Sequence, residues 1–340
     1  MSSTTVLDKE RLELDLLLRG FQVSRMLRVV ADLGVADRIA PDGTVTVTDL
    51  AGACNVHPTP LLRILRALAA FNVFHVSPDG RVSHSPRSRL LRTDTPDSFH
   101  HAAVFWTAPG SWNTWVRLDA ALAGENPHRV AWDMSRFDYL RRHPDEARAF
   151  DMFMASFPDR RHAAVAASYD FSAARLIVDV GGGNGEMLRH ILGRYPTARG
   201  VVFDRPDVVQ AIPADSRMQG RIAVEGGSFF DKVPSGADHY LVIRVLHDWN
   251  DHDYLRIVRR CRAAMSGDAR LLIVEQILEP DPARGRATDY LLDVHMMAMF
   301  GDARERTQAE HRDLLMASGF ALRRVIATPS PVSVLEAVPV

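Results

Sequence analysis

His247 is the residue of this sequence best placed for acid–base chemistry. It follows the apolar run 240–243 and lies within Arg-Val-Leu-His-Asp-Trp at 244–249. The carboxyl edge of a parallel sheet is where such sheets bind ligands. An imidazole with an ordinary pKa of about 6.5 can remove a proton from a hydroxyl group at neutral pH. His247 is therefore a candidate general base, although a histidine without further context is more often structural.

Two carboxylates add weight to that hypothesis. Glu275 ends the predicted strand 271–274, and Glu305 lies just before a predicted helix. Carboxylates beside an imidazole hold one tautomer and stabilise the imidazolium that forms on proton uptake. Each also has a structural alternative, since Glu275 could pair with an arginine and Glu305 could favour a helix N-terminus through the helix dipole.

A glycine-rich turn indicates a ligand at the same sheet edge. Asp179 begins the pattern Asp-x-Gly-x-Gly-x-Gly, which includes Gly181 and Gly183 and opens a predicted helix. Glycines let the backbone approach a ligand closely, and a helix N-terminus offers free N–H groups. Counted from Gly181, the third glycine of the dinucleotide fingerprint is replaced by Glu186. The acid before the turn therefore suits a ligand with a cationic amino group better than a pyrophosphate.

Two later strand ends carry further candidate contacts. Asp204 follows the run 201–203, where an acid can accept hydrogen bonds from both hydroxyls of a ribose. Ser228 and Phe229 lie in Gly-Gly-Ser-Phe-Phe-Asp at 226–231, where a polar side chain beside an aromatic ring could hold an adenine. The alternatives are a helix cap at Asp204 and a structural loop with core phenylalanines at 226–231.

The first half of the chain has helical periodicity. Apolar residues at mixed spacings of three and four predict one amphipathic helix over 12–33, ending at Gly34. Two short helices follow, the second over 61–71. The runs 73–76 and 81–83 flank Pro-Asp-Gly and predict a hairpin, which completes a winged-helix pattern.

The second half alternates between strands and helices. Predicted strands cover 176–180, 200–203, 239–245 and 271–274, with helices over 186–194 and 253–265 between them. This alternation predicts a mostly parallel sheet with right-handed crossovers. The runs 320–325 and 332–338 predict a closing antiparallel hairpin.

These patterns predict an α/β protein with a Rossmann-like C-terminal domain. The expected divisions are a winged-helix-like domain at 1–95, a helical linker at 96–174, and a ligand-binding domain at 175–340. Formal net charge is −1 and the pI is about 6.9, so no basic field attracts nucleic acid. No apolar run suits a membrane span or a secretory signal, and Cys54 and Cys261 suggest no disulfide framework. A cytoplasmic location is expected.

The motifs together resemble those of a known family. In order they are Val-Asp-Val-Gly-Gly-Gly-Asn-Gly at 178–185, Phe-Asp-Arg-Pro at 203–206, Gly-Gly-Ser-Phe-Phe at 226–230, Arg-Val-Leu-His-Asp-Trp at 244–249, Asp-Val-His-Met-Met at 293–297 and Glu-Arg-Thr at 305–307. They resemble the plant caffeate-type and bacterial natural-product O-methyltransferases, which include the animal enzyme that methylates N-acetylserotonin. The resemblance covers nearly the whole chain. It implies that 1–95 is a dimerisation domain, that 96–174 is a linker and acceptor-pocket region, and that 175–340 binds S-adenosylmethionine.

The resemblance implies methyl transfer from S-adenosylmethionine, with S-adenosylhomocysteine as product, to a hydroxyl of a small aromatic acceptor in a homodimer that needs no metal. His247 would be the general base, assisted by Glu275 and Glu305. The implied donor contacts are Asp179, Gly181, Gly183, Asp204, Ser228, Phe229, Arg244 and Trp249. The candidate acceptor-pocket residues are Phe150, Met154, Asp293, His295, Met296 and Met297. The family usually has Asp where this chain has Ser228, so we expect a weaker or water-mediated adenine contact.

Three other interpretations stay open at this point. A winged-helix DNA-binding regulator would need a basic recognition helix, yet 61–71 contains only Arg63 and Arg66. A metal-dependent C-methyltransferase could use His247, Asp248 and His295 as ligands, since two imidazoles and one carboxylate form a facial triad. A nicotinamide oxidoreductase is disfavoured by Glu186 and by the His-Asp-Trp segment.

Overall fold

The computed structural model describes residues 3–155 and 161–340, which form two compact units. One unit contains residues 3–117 and 131–155, and the other contains 118–130 and 161–340. The region 96–174 is therefore shared between the units, apart from 156–160, which lie outside the described residues. Within the described ranges, no helix is long and apolar enough to cross a membrane.

Helices predominate in the first half of the chain, and strands alternate with helices in the second half. The α-helices are α1 Ser3–Leu18, α2 Gly20–Asp32, α3 Val47–Cys54, α4 Pro58–Ala70, α5 Pro86–Arg89, α6 His100–Trp106, α7 Pro109–Trp115, α8 Pro127–Trp132, α9 Arg136–Arg142, α10 Pro144–Ala155, α11 Arg161–Ser168, α12 Glu186–Arg194, α13 Pro206–Gln210, α14 Asp251–Ala264, α15 Ala287–Phe300 and α16 Gln308–Met316. The strands are β1 Thr44–Thr46, β2 Phe74–Val76, β3 Arg81–His84, β4 Leu176–Val180, β5 Arg199–Asp204, β6 Ile222–Gly226, β7 His239–Ile243, β8 Arg270–Gln276, β9 Phe320–Ala327 and β10 Val332–Pro339.

The first unit has the helix–helix–hairpin order that the sequence predicts. The hairpin is β2 and β3, which pair antiparallel, and β1 adds an unpredicted third strand against β3. Thr46 caps α3 by accepting a hydrogen bond from the backbone N–H of Asp49. The prediction of one helix over 12–33 is wrong, because α1 ends at Leu18 and α2 begins at Gly20, a residue with poor helix propensity.

The second unit is built on a seven-stranded sheet with the order β6-β5-β4-β7-β8-β10-β9. The first five strands are parallel, while β10 is antiparallel to both β8 and β9. β4, β7 and β8 are nearly continuous apolar runs, as expected for strands covered on both faces. The predicted α/β class, parallel sheet and closing hairpin are therefore confirmed.

The strand order brings together the segments that carry the candidate catalytic and ligand-binding residues. β4, β7 and β8 are neighbours, and their carboxyl ends lead into the glycine-rich turn, the His247 segment and Glu275 respectively. Because parallel strands end at the same edge, these three segments meet at one side of the sheet.

Candidate active site

His247 lies in a short 3₁₀ helix, Leu246–Asp248, that follows β7. Its side chain is buried, with 8% of the residue exposed. Its Nδ1 atom lies 2.9 Å from Oε2 of Glu275, and 3.9 Å from Oε1 of Glu305. An ionised carboxylate only accepts hydrogen bonds, so Glu275 fixes the proton on Nδ1.

The other ring nitrogen of His247 also faces a carboxylate. Nε2 lies 3.1 Å from Oδ1 of Asp248. Burial and the charge of Arg244 each lower the pKa of His247, but Glu275 and Asp248 outweigh them and raise it to about 9. The surrounding carboxylates therefore hold the imidazole as an imidazolium at neutral pH.

Arg244 joins the two glutamates. Its Nη1 atom donates to Oε2 of Glu275 at 3.0 Å, and its Nη2 atom donates to Oε1 of Glu305 at 2.9 Å. The two charges of His247 and Arg244 hold the pKa of Glu275 below its usual range, although burial alone would raise it. Arg244 has a φ of 51°, a left-handed conformation that is costly for a non-glycine residue and is common at functional sites. Arg244 therefore belongs to the buried cluster of His247, Glu275 and Glu305, and its contact with the methyl donor stays a prediction.

Two residues hold the His247 cluster in place by hydrogen bonds, and the sequence did not predict this role for either of them. Arg306 is 1% exposed and donates to the carbonyl oxygens of Leu246 at 3.0 Å and Trp249 at 2.7 Å, so it holds both ends of the turn that carries His247. Its only signal in the sequence was its place in Glu-Arg-Thr. Oδ1 of Asp293 accepts the backbone N–H of Glu305 at 2.8 Å, so this residue, predicted for the acceptor pocket, positions a glutamate.

The glycine-rich turn contains a buried carboxylate without a partner. Asp179 is 1% exposed, and neither carboxylate oxygen has a hydrogen-bond partner among the described residues. Burial, assisted by the charge of Asp204, raises its pKa to about 7. Gly181 has a φ of 74°, and a Cβ atom there would lie 2.7 Å from Val245. The turn thus combines close backbone packing with an acid that lacks a partner, as a cationic ligand would require.

The other residues predicted to bind the methyl donor lie at or after the ends of β5, β6 and β7. Asp204 accepts the backbone N–H groups of Gly183 at 2.9 Å and Arg205 at 2.7 Å, which ties the second strand end to the turn. Phe229 meets Trp249 edge to face, with ring centroids 6.0 Å apart. Ser228 is the neighbouring residue and accepts the backbone N–H of Phe230 at 3.2 Å.

The predicted acceptor-pocket residues belong to two different helices. Phe150 and Met154 lie on α10 of the first unit. His295, Met296 and Met297 lie on α15 of the second unit, where the first two are buried. Their shared role at an acceptor stays a prediction.

In the part of the chain that the structure describes, the three ligands of the alternative metal site are not grouped together. Among the described residues, the candidate ligand group consists of His247, Glu275 and Glu305, whose ligand atoms lie within 4.8 Å of one another, and it does not include His295. The guanidinium of Arg244 already pairs with both glutamates of that group. A positive charge in this position repels a divalent cation. The observed arrangement therefore favours a His247 that is ion-paired over a His247 that binds a metal.

Comparison with known proteins finds relatives over nearly the whole chain. The model of the O-methyltransferase domain matches residues 115–321, and that of the O-methyltransferase dimerisation domain matches 16–94. The chain is 36% identical to a phenazine O-methyltransferase of Lysobacter antibioticus, covering 95% of each chain. It is 34% identical to a phenazine-1-carboxylate N-methyltransferase of Pseudomonas aeruginosa, covering 90% of each. The solved structure of CalO1, a methyltransferase in calicheamicin biosynthesis with bound S-adenosylhomocysteine, matches with a TM-score of 0.84, 30% identity and full coverage of both chains.

Proposed function

Because the chain belongs to the S-adenosylmethionine-dependent O-methyltransferases, we propose that it methylates a hydroxyl group of a small aromatic acceptor, with His247 as the general base. The observation that carries the proposal is the buried imidazole of His247, which Glu275 anchors through Nδ1 at the ligand-binding edge of the sheet. Because Nδ1 is anchored, Nε2 is the atom that accepts a proton once it has lost its own proton and its contact with Asp248.

The bound donor supplies a methyl group that its sulfonium has already activated. The chain itself must therefore align the acceptor oxygen and remove its proton. Alignment is a proximity effect, which can supply a large part of the rate enhancement. The proton moves from the acceptor hydroxyl to Nε2 of His247, which first has to lose both its own proton and its contact with Asp248. Glu275 and Glu305 then stabilise the imidazolium that results.

The raised pKa of His247 matches the chemistry of a phenol. An ordinary phenol has a pKa of about 10, as tyrosine does. Glu275 raises the pKa of His247, which makes it a stronger base toward a phenol than an ordinary imidazole. Asp248 contributes to the pKa of about 9 while it contacts Nε2, and this contact keeps more of the imidazole protonated at neutral pH.

Asp179, Asp204 and the aromatic pair of Phe229 and Trp249 fit the donor. The carboxylate of Asp179, which lacks a partner, suits the cationic amino group of the methionyl part. Asp204, which is half-buried at the end of β5, suits the ribose hydroxyls. The two aromatic rings offer an apolar surface for the adenine.

Replacing Asp204 with alanine is expected to weaken S-adenosylhomocysteine binding by about 5- to 150-fold, since hydrogen bonds to a charged group are lost. Calorimetric titration measures the effect. Asp207→Ala is the matched control, because Asp207 is an exposed acid three residues away. Equal affinities for wild type and Asp204→Ala would remove Asp204 from the donor site.

We also propose that the chain forms a homodimer through its first unit. Six leucines of α1 are exposed, an apolar surface of the kind that marks an interface: Leu7, Leu12, Leu14, Leu16, Leu17 and Leu18. Leu16, Leu17 and Leu18 lie within the segment matched by the dimerisation model, and the other three precede it.

A double variant, Leu17→Glu with Leu18→Glu, is expected to shift the dimer to a monomer, because charges would replace apolar side chains at the interface. Light scattering measures the mass. Leu122→Glu, which changes a still more exposed leucine of the other unit, should remain dimeric. A monomeric wild type, or a double variant that dimerises normally, would contradict the proposal.

Product analysis tests the type of transfer. The acceptors are a panel of hydroxynaphthalenes and aminonaphthalenes, offered with methyl-labelled donor. Mass spectrometry should find the label on the oxygen of the hydroxynaphthalenes. Label on nitrogen alone would favour the activity named for the Pseudomonas relative. A chelator should leave the rate unchanged, and inhibition that added metal reverses would favour the metal-dependent alternative.

A further inference from the structure

Three arginines share one exposed face of α14, in the second unit. Arg256, Arg259 and Arg260 are three and four residues apart, a spacing that places side chains beside one another on a helix. Together they line a surface cavity of about 210 Å³. Like charges at this spacing repel one another. Asp253 pairs with Arg256 at 2.7 Å, whereas Arg259 and Arg260 have no carboxylate at ion-pairing distance among the described residues.

Each guanidinium is held in place by one hydrogen bond to an oxygen of the protein. The bonds run from Arg256 to the Asp253 carboxylate at 2.7 Å, from Arg259 to the Ala317 carbonyl oxygen at 3.1 Å and from Arg260 to the Phe230 carbonyl oxygen at 3.0 Å. A guanidinium has five N–H donors, so most of them stay available to a ligand. Because the three groups are already fixed, an anion that binds them costs little ordering of side chains.

The same arginines contact the aromatic residues beside the proposed adenine position. The Cζ atom of Arg256 lies 4.6 Å from the ring centroid of Phe230, whose carbonyl oxygen accepts the bond from Arg260. The ring of Phe230 meets those of Trp249 and Phe229, with centroids 4.7 and 5.0 Å apart. A ligand that fixes the arginines would therefore also fix the residue that supports the aromatic pair.

We propose that Arg256, Arg259 and Arg260 bind a diphosphate group, and that the bound anion strengthens donor binding by fixing Phe230. Planar guanidinium groups match phosphate oxygens through paired hydrogen bonds. One water takes about 30 Å³ of liquid volume, so the cavity suits an anion about seven waters in size. The anion site does not depend on the proposed function, whereas the coupling rests on it, because the coupling needs Phe229 and Trp249 beside the adenine.

Calorimetric titration of pyrophosphate into the full chain tests the site, with S-adenosylhomocysteine saturating and the ionic strength held constant with sodium chloride. Arg259→Gln should weaken pyrophosphate binding by about 10- to 100-fold, the range expected for charge-assisted hydrogen bonds. Arg194→Gln, an exposed arginine on α12, is the matched control and should bind as wild type does. Tighter binding of ADP than of pyrophosphate would identify a nucleotide as the source of the diphosphate, and weaker binding would identify an inorganic anion.

Titration of S-adenosylhomocysteine with and without saturating pyrophosphate tests the coupling. Pyrophosphate should raise the donor-product affinity of wild type about fivefold or more, the lower end of the usual coupling between two sites. Without the anion, Arg259→Gln should bind S-adenosylhomocysteine as wild type does, because its hydrogen bond goes to Ala317 and not to Phe230. At the same pyrophosphate concentration, this variant should show a much smaller rise.

The outcomes separate the anion site, the coupling and the proposed function. A wild type that does not bind pyrophosphate, or an Arg259→Gln variant that binds it equally well, would overturn the anion site. A S-adenosylhomocysteine affinity that pyrophosphate leaves unchanged or lowers would overturn the coupling. A wild type that fails to bind S-adenosylhomocysteine without any anion would instead contradict the proposed function.

Discussion

Replacing His247 with glutamine is expected to lower the rate of methyl transfer to a weakly acidic phenol by about 10²–10⁴-fold, the usual loss when a general base is removed. Glutamine keeps a polar side chain but cannot take up a proton near neutral pH. S-adenosylhomocysteine affinity should not change, because the proposed donor contacts of Asp179 and Asp204 belong to other strand ends. Single-turnover measurements at saturating donor give the rate, and calorimetry gives the affinity.

The control for this variant is His252→Gln, an exposed histidine on α14 that should retain full activity. An acidic phenol provides a second control, since it arrives already ionised and needs no base. His247→Gln should therefore recover most of its activity on such an acceptor. A variant that methylates weakly acidic phenols at the wild-type rate would remove His247 from the reaction.

Replacing Arg244 with methionine is expected to lower the free energy of unfolding by about 3–5 kcal/mol, because removing one partner of a buried ion pair leaves the other uncompensated. Glu275 and Glu305 would both lose the guanidinium that joins them. The pKa of His247 should also rise further, since Arg244 lowers it in wild type. Chemical denaturation measures the first effect.

The control is Arg175→Met, because the side chain of Arg175 is 92% exposed in its ion pair with Asp238. Exposed ion pairs contribute little to stability, so this variant should unfold almost as wild type does. Arg244→Lys should be intermediate, since lysine keeps the charge but cannot reach both glutamates with a planar fork. Equal stability of Arg244→Met and Arg175→Met would contradict the role assigned to the buried network.

The sequence predicted the sheet well because the signals for it are local. Continuous apolar runs mark β4, β7 and β8, and the glycines mark the turn after β4. The positions of His247 and Glu275 follow from those strands, since both residues come directly after or at the end of one. Their proximity could be expected because parallel strands end at one edge of a sheet, whereas the contact at 2.9 Å depends on the adjacency of β7 and β8, which only the fold shows.

The features that the sequence did not reveal depend on distant partners. β1 is a three-residue strand that pairs with β3 across 35 residues or more, and its few residues show no periodicity. Arg306 reaches back to the carbonyl oxygens of Leu246 and Trp249, a contact that no spacing rule predicts. Arg136 looks like a surface arginine in a charged helix, and only the folded chain shows that it is buried.

The central claim is that His247 accepts the acceptor proton during methyl transfer, and the pH dependence of kcat/KM tests it most directly. This parameter reports the pKa values of the free enzyme, so a weakly acidic phenol with methyl-labelled donor should give a rate that rises with pH and levels off near the His247 pKa of about 9. His247→Gln should be slow at every pH and should not level off near pH 9, because its rate follows the ionised fraction of the phenol, whose pKa is about 10. A variant that levels off at the same pH as wild type, or a wild type whose rate does not depend on pH between 6 and about 9, would contradict the account.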